Sequence, residues 1–318
     1  MSLKIIGIGK GIPQKCVSND QLAGFLDTSD EWIISRTGIK TRYVCTDETL
    51  TDLAATAAMQ ALQKSRLAAD DIDLMICSTL EGDFRTPSLA CCIAERIGTK
   101  SPAFDINAAC TGFIYALEIA DSFLHTGKAK NILIVCAEMM SKYADWNDRN
   151  TCVLFGDGAA ACVVANGNAL RYINLSCSAD MSILNLPTDT GNSPFITEKK
   201  GSSFLHMQGQ EVFKFAVNAV EAEIKQALDT LAISPEQIDW FVLHQANKRI
   251  IDSARTKLHQ PEAKFPVNID QYGNISSASI PLLMFEMLEK GQLKPGDTLF
   301  MSAFGAGMTA GSCVMVWE

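Results

Sequence analysis

The sequence repeats itself at about half its length, and this repeat constrains the fold more than any other feature. Residues 60–77 align without a gap with residues 226–243, at an offset of 166 residues, and the same offset places residues 131–137 on residues 297–303. The repeated identities are Gln60/Gln226, Ala61/Ala227, Leu62/Leu228, Ile72/Ile238, Asp73/Asp239, Leu133/Leu299 and Ala137/Ala303. Self-similarity at a fixed offset predicts a duplicated architecture, here two halves related by pseudo-twofold symmetry.

One insertion interrupts the repeat. Phe155-Gly156-Asp157-Gly158 matches Phe304-Gly305-Ala306-Gly307 at an offset of 149 residues instead of 166. The first half therefore carries about 17 extra residues, which we place around Met139–Thr151. Insertions of this kind are usually loops, and loops on a rigid scaffold often carry function.

Each half alternates helices with strands, which is typical of an α/β fold. Alternation of this kind predicts mostly parallel sheets with helices on both faces. Pairing the halves, 1–168 and 169–318, gives a five-layered α/β/α/β/α stack. The predicted pairs are helices 53–67 and 212–231, strands 74–77 and 240–244, and last strands 160–165 and 312–317.

Cys110 lies where a strand over residues 101–106 gives way to a helix. The helix is predicted from apolar residues that share one face, namely Phe113, Ala116, Leu117, Ala120 and Leu124. A thiol at a helix N-terminus faces free N–H groups and the positive end of the helix dipole, both of which favour the thiolate. Cys110 is therefore a candidate nucleophile. The offset of 166 residues carries position 110 onto position 276, so the repeat predicts that the loop around Ser276 is the counterpart of the Cys110 turn.

Two residues of the second half are candidate partners of this thiol. His244 follows the strand 240–243, at the carboxyl end of a strand, where α/β sheets bind their ligands. Asn274 lies in a loop of small residues before a helix, and the glycine turn at residues 304–307 offers backbone N–H groups for an oxyanion. The other histidines are less promising, since His125 and His259 lie in charged surroundings and His206 follows an apolar run.

Composition excludes several classes of function. A net charge of −9 and a pI near 5.0 argue against nucleic acid as a partner. No stretch reaches the roughly 20 apolar residues that a membrane-spanning helix needs. Eleven cysteines, without a C-x-x-C pair, are typical of reduced core residues in a cytoplasmic protein and argue against a metal or redox site.

Six segments in order resemble the β-ketoacyl-acyl-carrier-protein synthase III family of the thiolase superfamily, over the whole chain. They are Asp27–Ile33 with Arg36–Ile39, Asn107–Phe113, Phe155–Ala159, His244–Asn247, Gly273–Ser276 and Phe304–Gly307. The resemblance implies the five-layered thiolase-like fold. It also implies a condensing enzyme with Cys110, His244 and Asn274 as catalytic residues.

The implied reaction has two halves. Cys110 takes an acyl group from acyl-CoA and releases coenzyme A; malonyl-acyl-carrier protein then loses CO2 and its carbanion attacks the acyl-cysteine. His244 and Asn274 are implied to donate hydrogen bonds to the developing enolate. The backbone N–H groups of Cys110 and Ala306 are implied to hold the oxyanion. The product is a 3-oxoacyl-carrier protein that starts fatty acid synthesis.

The resemblance also implies three binding regions, a homodimer, no metal and no permanently bound cofactor. The regions are a coenzyme A site at Thr28, Trp32, Arg36, Arg149 and Asn247, a carrier-protein site at Lys214, Lys248 and Arg249, and an acyl pocket at Thr86, Met140, Phe155 and Leu205. Family members often carry a bulky aromatic at the position of Thr86, on a loop that reaches into the partner's pocket. The smaller residue predicts tolerance of branched or longer acyl groups.

Two alternatives stay open at this point. One is a condensing enzyme of secondary metabolism that uses another extender on the same scaffold. The other is a Cys-His thioesterase or hydrolase, in which His244 would deprotonate Cys110 for attack on an ester or amide.

Overall fold

A computed structural model describes residues 2–189, 191, 193–198 and 204–318. Thirteen strands occur in these residues. In chain order they are β1 Ser2–Gly11, β2 Lys15–Ser18, β3 Thr41–Val44, β4 Leu74–Ser78, β5 Ala103–Ile106, β6 Asn131–Met139, β7 Asp157–Gly167, β8 Leu170–Cys177, β9 Leu184–Asn185, β10 His206–Met207, β11 Trp240–Leu243, β12 Thr298–Gly305 and β13 Thr309–Val316.

Nine α-helices and six short 3₁₀ turns complete the secondary structure of the same residues. The helices are α1 Asn19–Ala23, α2 Asp30–Thr37, α3 Leu50–Ser65, α4 Leu89–Ile97, α5 Gly112–His125, α6 Gly209–Leu231, α7 Lys248–Leu258, α8 Ile269–Tyr272 and α9 Ser279–Glu289. The 3₁₀ turns are Ala69–Asp71, Ala109–Thr111, Met140–Tyr143, Pro235–Gln237, Glu262–Lys264 and Ser276–Ala278.

Two main sheets carry the fold, and both are mixed. The first has the order β1-β7-β6-β4-β5 and the second β11-β12-β13-β8. Strand β4 pairs in parallel with β5 and β6, and β11 with β12, whereas every pairing of β7 and β13 is antiparallel. The prediction of mostly parallel sheets was therefore wrong. A three-residue connection such as residues 306–308 joins antiparallel neighbours only, because a parallel crossover needs a dozen or more residues.

The layers follow the predicted five-layered order. Helices α3 and α4 pack on the outer face of the first sheet, α5 and α9 lie between the sheets, and α6 with α7 covers the second sheet. The central apolar cluster draws buried residues from both halves, including Phe113 and Leu117 of α5 and Leu283 of α9. The face predicted after Cys110 is buried throughout, from Phe113 to Leu124.

The repeat is real, but its register changes by one residue along the chain. Asp73 and Asp239 are equivalent at the predicted offset of 166, since each backbone N–H donates to the first residue of the neighbouring strand, Asn131 or Thr298. Those two strand residues differ by 167, so the sequence alignment of β6 with β12 was one residue out. A slip of one residue moves every side chain of a strand to the other face. The true counterpart of Cys110 is consequently Ser277.

The predicted insertion lies between β6 and β7. Residues 140–156 connect these strands, and residues 306–308 connect β12 and β13, so the first half is longer by 14 residues here rather than by about 17. The longer connection brings Met140, Tyr143 and Phe155 to the interior. None of the helices in the described residues is long and apolar enough to cross a membrane.

Candidate active site

A cavity of about 1720 Å³ opens where the two halves meet, and it contains the three predicted catalytic residues. Cys110, His244 and Asn274 all line it, together with the glycine turn at residues 305–307. The cavity exceeds the few hundred to roughly 1,000 Å³ of a typical small-molecule site. This size suits a long substrate with an extended cofactor arm.

Cys110 sits in the 3₁₀ turn Ala109–Thr111, one turn before α5. Asn107 caps this turn by accepting a hydrogen bond from the Ala109 N–H at 3.2 Å, and Ala109 adopts a left-handed φ of 47°. Gly305 packs directly against this turn. A Cβ at position 305 would lie only 2.8 Å from the Cys110 backbone nitrogen. Only glycine admits this approach.

The surroundings of Cys110 oppose the thiolate that its position before a helix predicts. Burial raises the pKa of its thiol to about 12, which outweighs the stabilising contributions of its own N–H and of Ser276. Desolvation disfavours a charged sulfur. A thiol with its pKa raised in this way needs a proton acceptor for attack.

His244 presents one ring nitrogen to the cavity. Its Nδ1 lies 2.6 Å from Ser279 Oγ, while Nε2 is buried and has no partner among the described residues. Burial lowers its pKa to about 3, so the imidazole is neutral at physiological pH. If Ser279 donates to Nδ1, Nε2 carries the hydrogen and becomes a donor toward substrate.

Asn274 is held by backbone on both sides. Its N–H donates to Leu154 O at 2.8 Å, its carbonyl accepts from Gly156 at 3.1 Å, and its Oδ1 accepts from the Ser276 N–H at 2.8 Å. Because the side-chain oxygen is engaged, the amide nitrogen is the atom left to face the cavity. Asn274 and His244 thus supply two neutral donors.

The predicted oxyanion donors belong to adjacent segments. Ala306 lies in the turn after β12 and lines the cavity beside Cys110. The close contact of Gly305 with Cys110 brings these two backbone segments together. Preorganised N–H groups of this kind stabilise a tetrahedral oxyanion.

At the predicted coenzyme A region, four of the five residues line the cavity. The cation over the Trp32 ring is Arg149, whose guanidinium carbon lies 5.1 Å from the ring centroid, rather than Arg36. Arg149 is anchored on Asp27 Oδ2 at 3.1 Å. Asn247 caps α7 and donates to Arg36 O at 3.1 Å. Thr28 is the exception: it is half-buried and does not reach the cavity.

The predicted acyl pocket is only partly assembled within one chain. Met140, Phe155 and Leu205 form an apolar cluster that lines the cavity, and the cluster includes Tyr143, which the sequence did not suggest. The Tyr143 hydroxyl donates to Glu81 at 3.2 Å. Thr86 is exposed and does not line its own cavity, so its proposed reach into a partner's pocket stays a prediction.

The predicted carrier-protein residues lie at and beside the mouth of the cavity, but they are not equally available. Arg249 lines the cavity and stacks on Phe213 at 5.2 Å, and Lys214 is exposed nearby. Lys248, by contrast, is half-buried and pairs with Asp252 at 2.8 Å. A contact of Lys248 with the carrier protein stays a prediction.

Two residues of the site were not identified from the sequence. Ser279 orients His244, and Glu138 lies buried behind Cys110 at the end of β6. A glutamate at the end of the apolar run 132–137 was a visible signal, since such runs bury their ends. Ser279 had no signal, because it is one of four small residues in a row.

The electrostatics also weigh on the hydrolase alternative. A Cys-His hydrolase needs an imidazole that takes the thiol proton, and good general bases have a pKa near the working pH. Burial places the pKa of His244 at about 3 and that of Cys110 at about 12. Such an imidazole is suited to donate a hydrogen bond and is a poor base.

Known proteins match this chain from end to end. The family model 3-Oxoacyl-[acyl-carrier-protein (ACP)] synthase III matches residues 104–181, and the model of its C-terminal part matches residues 228–317. A β-ketoacyl-[acyl-carrier-protein] synthase III of Clostridium acetobutylicum is 45% identical over 99% of both chains. The crystal structure of 3-oxoacyl-[acyl-carrier-protein] synthase III from Aquifex aeolicus has a TM-score of 0.92 and 41% identity, covering 99% of this chain and 100% of that one. A priming β-ketosynthase of a polyketide biosynthetic pathway has a TM-score of 0.91 at 30% identity, covering 100% of this chain and 96% of that one.

Proposed function

This chain belongs to the 3-oxoacyl-[acyl-carrier-protein] synthase III family, and on that premise we propose which residue performs each step of its reaction. The enzyme is an acyltransferase that carries out the initiating condensation of fatty acid synthesis. The observation that carries the assignment is the convergence of Cys110, His244 and Asn274 on one cavity, with His244 Nε2 unpartnered among the residues described.

In the first half-reaction Cys110 attacks the thioester carbon of acyl-CoA. The sulfur–carbon bond to Cys110 forms, the bond to coenzyme A breaks, and the acyl group stays on the enzyme. The N–H groups of Cys110 and Ala306 stabilise the oxyanion of the tetrahedral intermediate.

In the second half-reaction malonyl-acyl-carrier protein loses CO2. His244 Nε2 and Asn274 Nδ2 donate to the thioester oxygen as negative charge develops there. Neutral donors suit this step, because an anionic group at either position would repel the enolate. The carbanion then displaces Cys110 and gives 3-oxoacyl-carrier protein.

Trp32 and Arg149 are suited to hold the adenine of coenzyme A. An indole and a guanidinium at 5.1 Å form a clamp that a flat ring enters after a small separation of the two groups. Arg36 and Asn247 line the same wall and contribute polar contacts. A contact of Thr28 with coenzyme A stays a prediction.

Lys214 and Arg249 are the carrier-protein contacts that this arrangement favours. Both cations are exposed beside the mouth of the cavity, and a carrier protein of acidic surface would be steered to them. Arg249→Glu is expected to raise the KM for malonyl-acyl-carrier protein about tenfold with little change in kcat. Lys257→Glu, an exposed position on the same helix, is the matched control. An equal effect of both variants would point to net charge alone.

A homodimer is the assembly we infer for the working enzyme. Strand β5 is an edge strand of its sheet in the described residues, with its other side open to pairing. A second copy pairing there would bring the Thr86 loop of each chain toward the other's acyl pocket.

The free state of all eleven cysteines supports a cytoplasmic location.

Intact mass spectrometry after mixing with acyl-CoA thioesters tests the function. We expect one acyl group per chain with acetyl, isobutyryl and octanoyl coenzyme A, none with Cys110→Ala, and CO2 release once malonyl-acyl-carrier protein is added. Strict preference for acetyl would contradict the predicted pocket. Loss of the acyl group to water without any need for malonyl-acyl-carrier protein would identify a hydrolase instead.

A further inference from the structure

Glu138 is a buried carboxylate with no counter-ion. Its side chain is 1% exposed, and it accepts hydrogen bonds from the Leu80 N–H and from Ser277 Oγ, both at 3.1 Å. It forms no ion pair within the described ranges of the chain. Burying a lone carboxylate is costly, so its retention close to a nucleophile calls for a role.

A serine separates this carboxylate from Cys110. The 3₁₀ turn Ser276–Ala278 packs against both β6, which carries Glu138, and the turn that carries Cys110. Ser276 is 1% exposed, and its hydroxyl has no hydrogen-bond partner in the part of the chain that the structure describes. The hydroxyl therefore needs no bond to be broken before it turns toward either neighbour.

The backbone of Ser276 is held in a conformation that serines seldom adopt. Its φ is 49°, in the left-handed region, and its N–H is fixed by Asn274 Oδ1 at 2.8 Å. Strained backbone of this kind often accompanies a functional position. The same bond ties the serine to the catalytic loop.

Proton affinities complete the case. Burial raises the pKa of Cys110 to about 12 and lowers that of His244 to about 3, whereas burial raises the pKa of Glu138 to about 7. Ser276 lowers the pKa of both Cys110 and Glu138, in keeping with its position between the two groups. A general base works best with a pKa near the working pH.

We propose that Glu138 accepts the proton of Cys110 through the Ser276 hydroxyl when acyl-CoA is bound. The proposal rests on the proposed function, and it adds a proton acceptor that the three catalytic residues lack. Glu138 acts through Ser276, so it is a positioning and proton-storing residue rather than one that touches the substrate.

The step balances as follows in atoms and charge. The Cys110 S–H bond breaks and its proton moves to Ser276 Oγ, while the Ser276 proton moves to the Glu138 carboxylate. Cys110 Sγ bonds to the acyl carbon, and the bond from that carbon to the coenzyme A sulfur breaks. The stored proton returns through Ser276 to the leaving thiolate, which restores both side chains and yields coenzyme A and acyl-Cys110.

Other titratable groups lie on the elements around Glu138, and burial raises the pKa of each of them. They are Cys77 on β4, Cys110, Cys136 on β6, Tyr143 and Asp157 on β7. The thiols and the phenol are uncharged at neutral pH. The Asp157 carboxylate turns away toward Ser141 and the Cys45 N–H. An inflection near pH 7 in the acylation rate would therefore report Glu138.

A purely electrostatic role of Glu138 predicts the opposite sign. An ionised carboxylate repels a thiolate at Cys110 and thereby raises the pKa of the thiol. Were this the whole effect, removing the charge would make Cys110 react faster. A proton acceptor predicts that removing it makes Cys110 react more slowly.

The test is the single-turnover rate of acylation by acetyl-CoA, measured by rapid quench and intact mass between pH 5.5 and 9. The wild-type rate should rise through an inflection near pH 7. Glu138→Gln should lose the inflection and fall about a hundredfold at pH 7.5, within the range of general-base catalysis. Glu138→Asp should restore part of the rate with a shifted inflection.

Two further variants keep the test decisive. Ser276→Gly removes the hydroxyl and suits the left-handed backbone, so it should fold and slow acylation at least tenfold. Glu223→Gln removes a matched buried glutamate, bonded to Asn174, Ser176 and Ser312 in the second half, and should acylate normally.

The outcomes separate this proposal from the function on which it rests. If the wild type takes up no acyl group, the proposed function fails. If the wild type is acylated and Glu138→Gln reacts as fast or faster with its inflection intact, the proton route alone is overturned. Release of CO2 by acyl-enzyme prepared beforehand should be unchanged in Glu138→Gln, because the second half-reaction does not use this proton.

Discussion

The two halves contain equivalent niches with the same backbone turn, residues 107–110 and residues 274–277, and only the first of them carries the nucleophile. Asn107 and Asn274 each cap the residue two positions ahead, at 3.2 and 2.8 Å, and the capped residues Ala109 and Ser276 have φ of 47° and 49°. The next residue is Cys110 in the first niche and Ser277 in the second. The duplicated fold thus provides the turn, and single substitutions decide its use.

The substitutions around these turns are complementary. Cys110 packs over Gly305, which leaves it room, whereas Ser277 packs over Glu138, the equivalent residue in β6. His244 contacts Ser279 at the start of α9, and the equivalent contact joins Ser78 to Gly112 at the start of α5. The comparison teaches that the thiol comes from the first half, whereas the two hydrogen-bond donors and the serine of the proposed proton route come from the second.

The largest expected effect is complete loss of the acyl-enzyme in Cys110→Ala. Adding Ser277→Cys should not restore it, because position 277 is 1% exposed, faces Glu138 and does not line the cavity. Intact mass after incubation with acetyl-CoA measures both variants. Cys177→Ala, at an exposed cysteine, is the control. An acyl group on the double variant would mean that the two niches are chemically equivalent.

The next effect is on decarboxylation. His244→Ala should slow CO2 release from malonyl-acyl-carrier protein by about 10² to 10³, the usual cost of a lost oxyanion donor, and still allow acylation of Cys110. Since burial holds the pKa of His244 near 3, this imidazole stays neutral and its own contribution should be constant from pH 5 to 8. His125→Ala, at an exposed histidine, should leave CO2 release unchanged. Equal loss of both half-reactions in His244→Ala would contradict the assigned role.

A smaller effect concerns the free energy of unfolding, through Glu138, which contacts Ser277 in the second niche. Burial raises the pKa of Glu138 from 4.5 to about 7, so the folded state binds this proton more tightly than the unfolded chain. The contribution is present in full below pH 4.5 and is lost as pH rises through 7. In wild type the free energy of unfolding should therefore fall as pH rises, and Glu138→Gln should reduce this fall by up to about 3 kcal/mol.

Urea unfolding between pH 4.5 and 8 measures this contribution. The Glu223→Gln control should keep the wild-type slope of stability against pH. An unaltered slope in Glu138→Gln would place the carboxyl in a more hydrated site than its burial indicates.

The smallest effect is expected for Asn107→Ala, the counterpart of a catalytic asparagine. It removes one capping hydrogen bond to the Ala109 N–H, worth about 1 kcal/mol. Thermal unfolding should register this loss, and the rate of CO2 release should change only a few fold. Asn274→Ala in the same assay should lose about 10² or more in rate. Similar losses in the two variants would show that the asparagines matter through their turns alone.

Several features of this fold could be predicted from local patterns. The helix after Cys110 was predicted from its apolar face, and the fold from the duplication and the alternation of elements. The register of β6 against β12 could not be predicted to the residue, because Leu133/Leu299 and Ala137/Ala303 coincide by chance in two apolar runs. The mixed strand directions could not be predicted from the order of elements, because short hairpin connections make neighbouring strands antiparallel.

Predictions of individual partners had a similar limit. Trp32, Arg36 and Arg149 were all expected in the coenzyme A site, and only the folded chain shows that the guanidinium over the Trp32 ring is that of Arg149, from the insertion. Lys248 was predicted to bind a carrier protein, and the structure adds that Asp252, one turn along the helix, forms an ion pair with it. Each depends on where a long side chain turns, which residue type alone does not fix.

The sequence by itself determined the duplication and the candidate set of a thiol with two neutral partners, because these follow from spacing and from the chemistry of each residue type. Tertiary structure alone decided their proton affinities. Burial raises the pKa of Cys110 and of Glu138 and lowers that of His244. Desolvation depends on everything that packs around a group, and here the packing residues come from both halves. The route from thiol to carboxylate exists only because the folded halves meet.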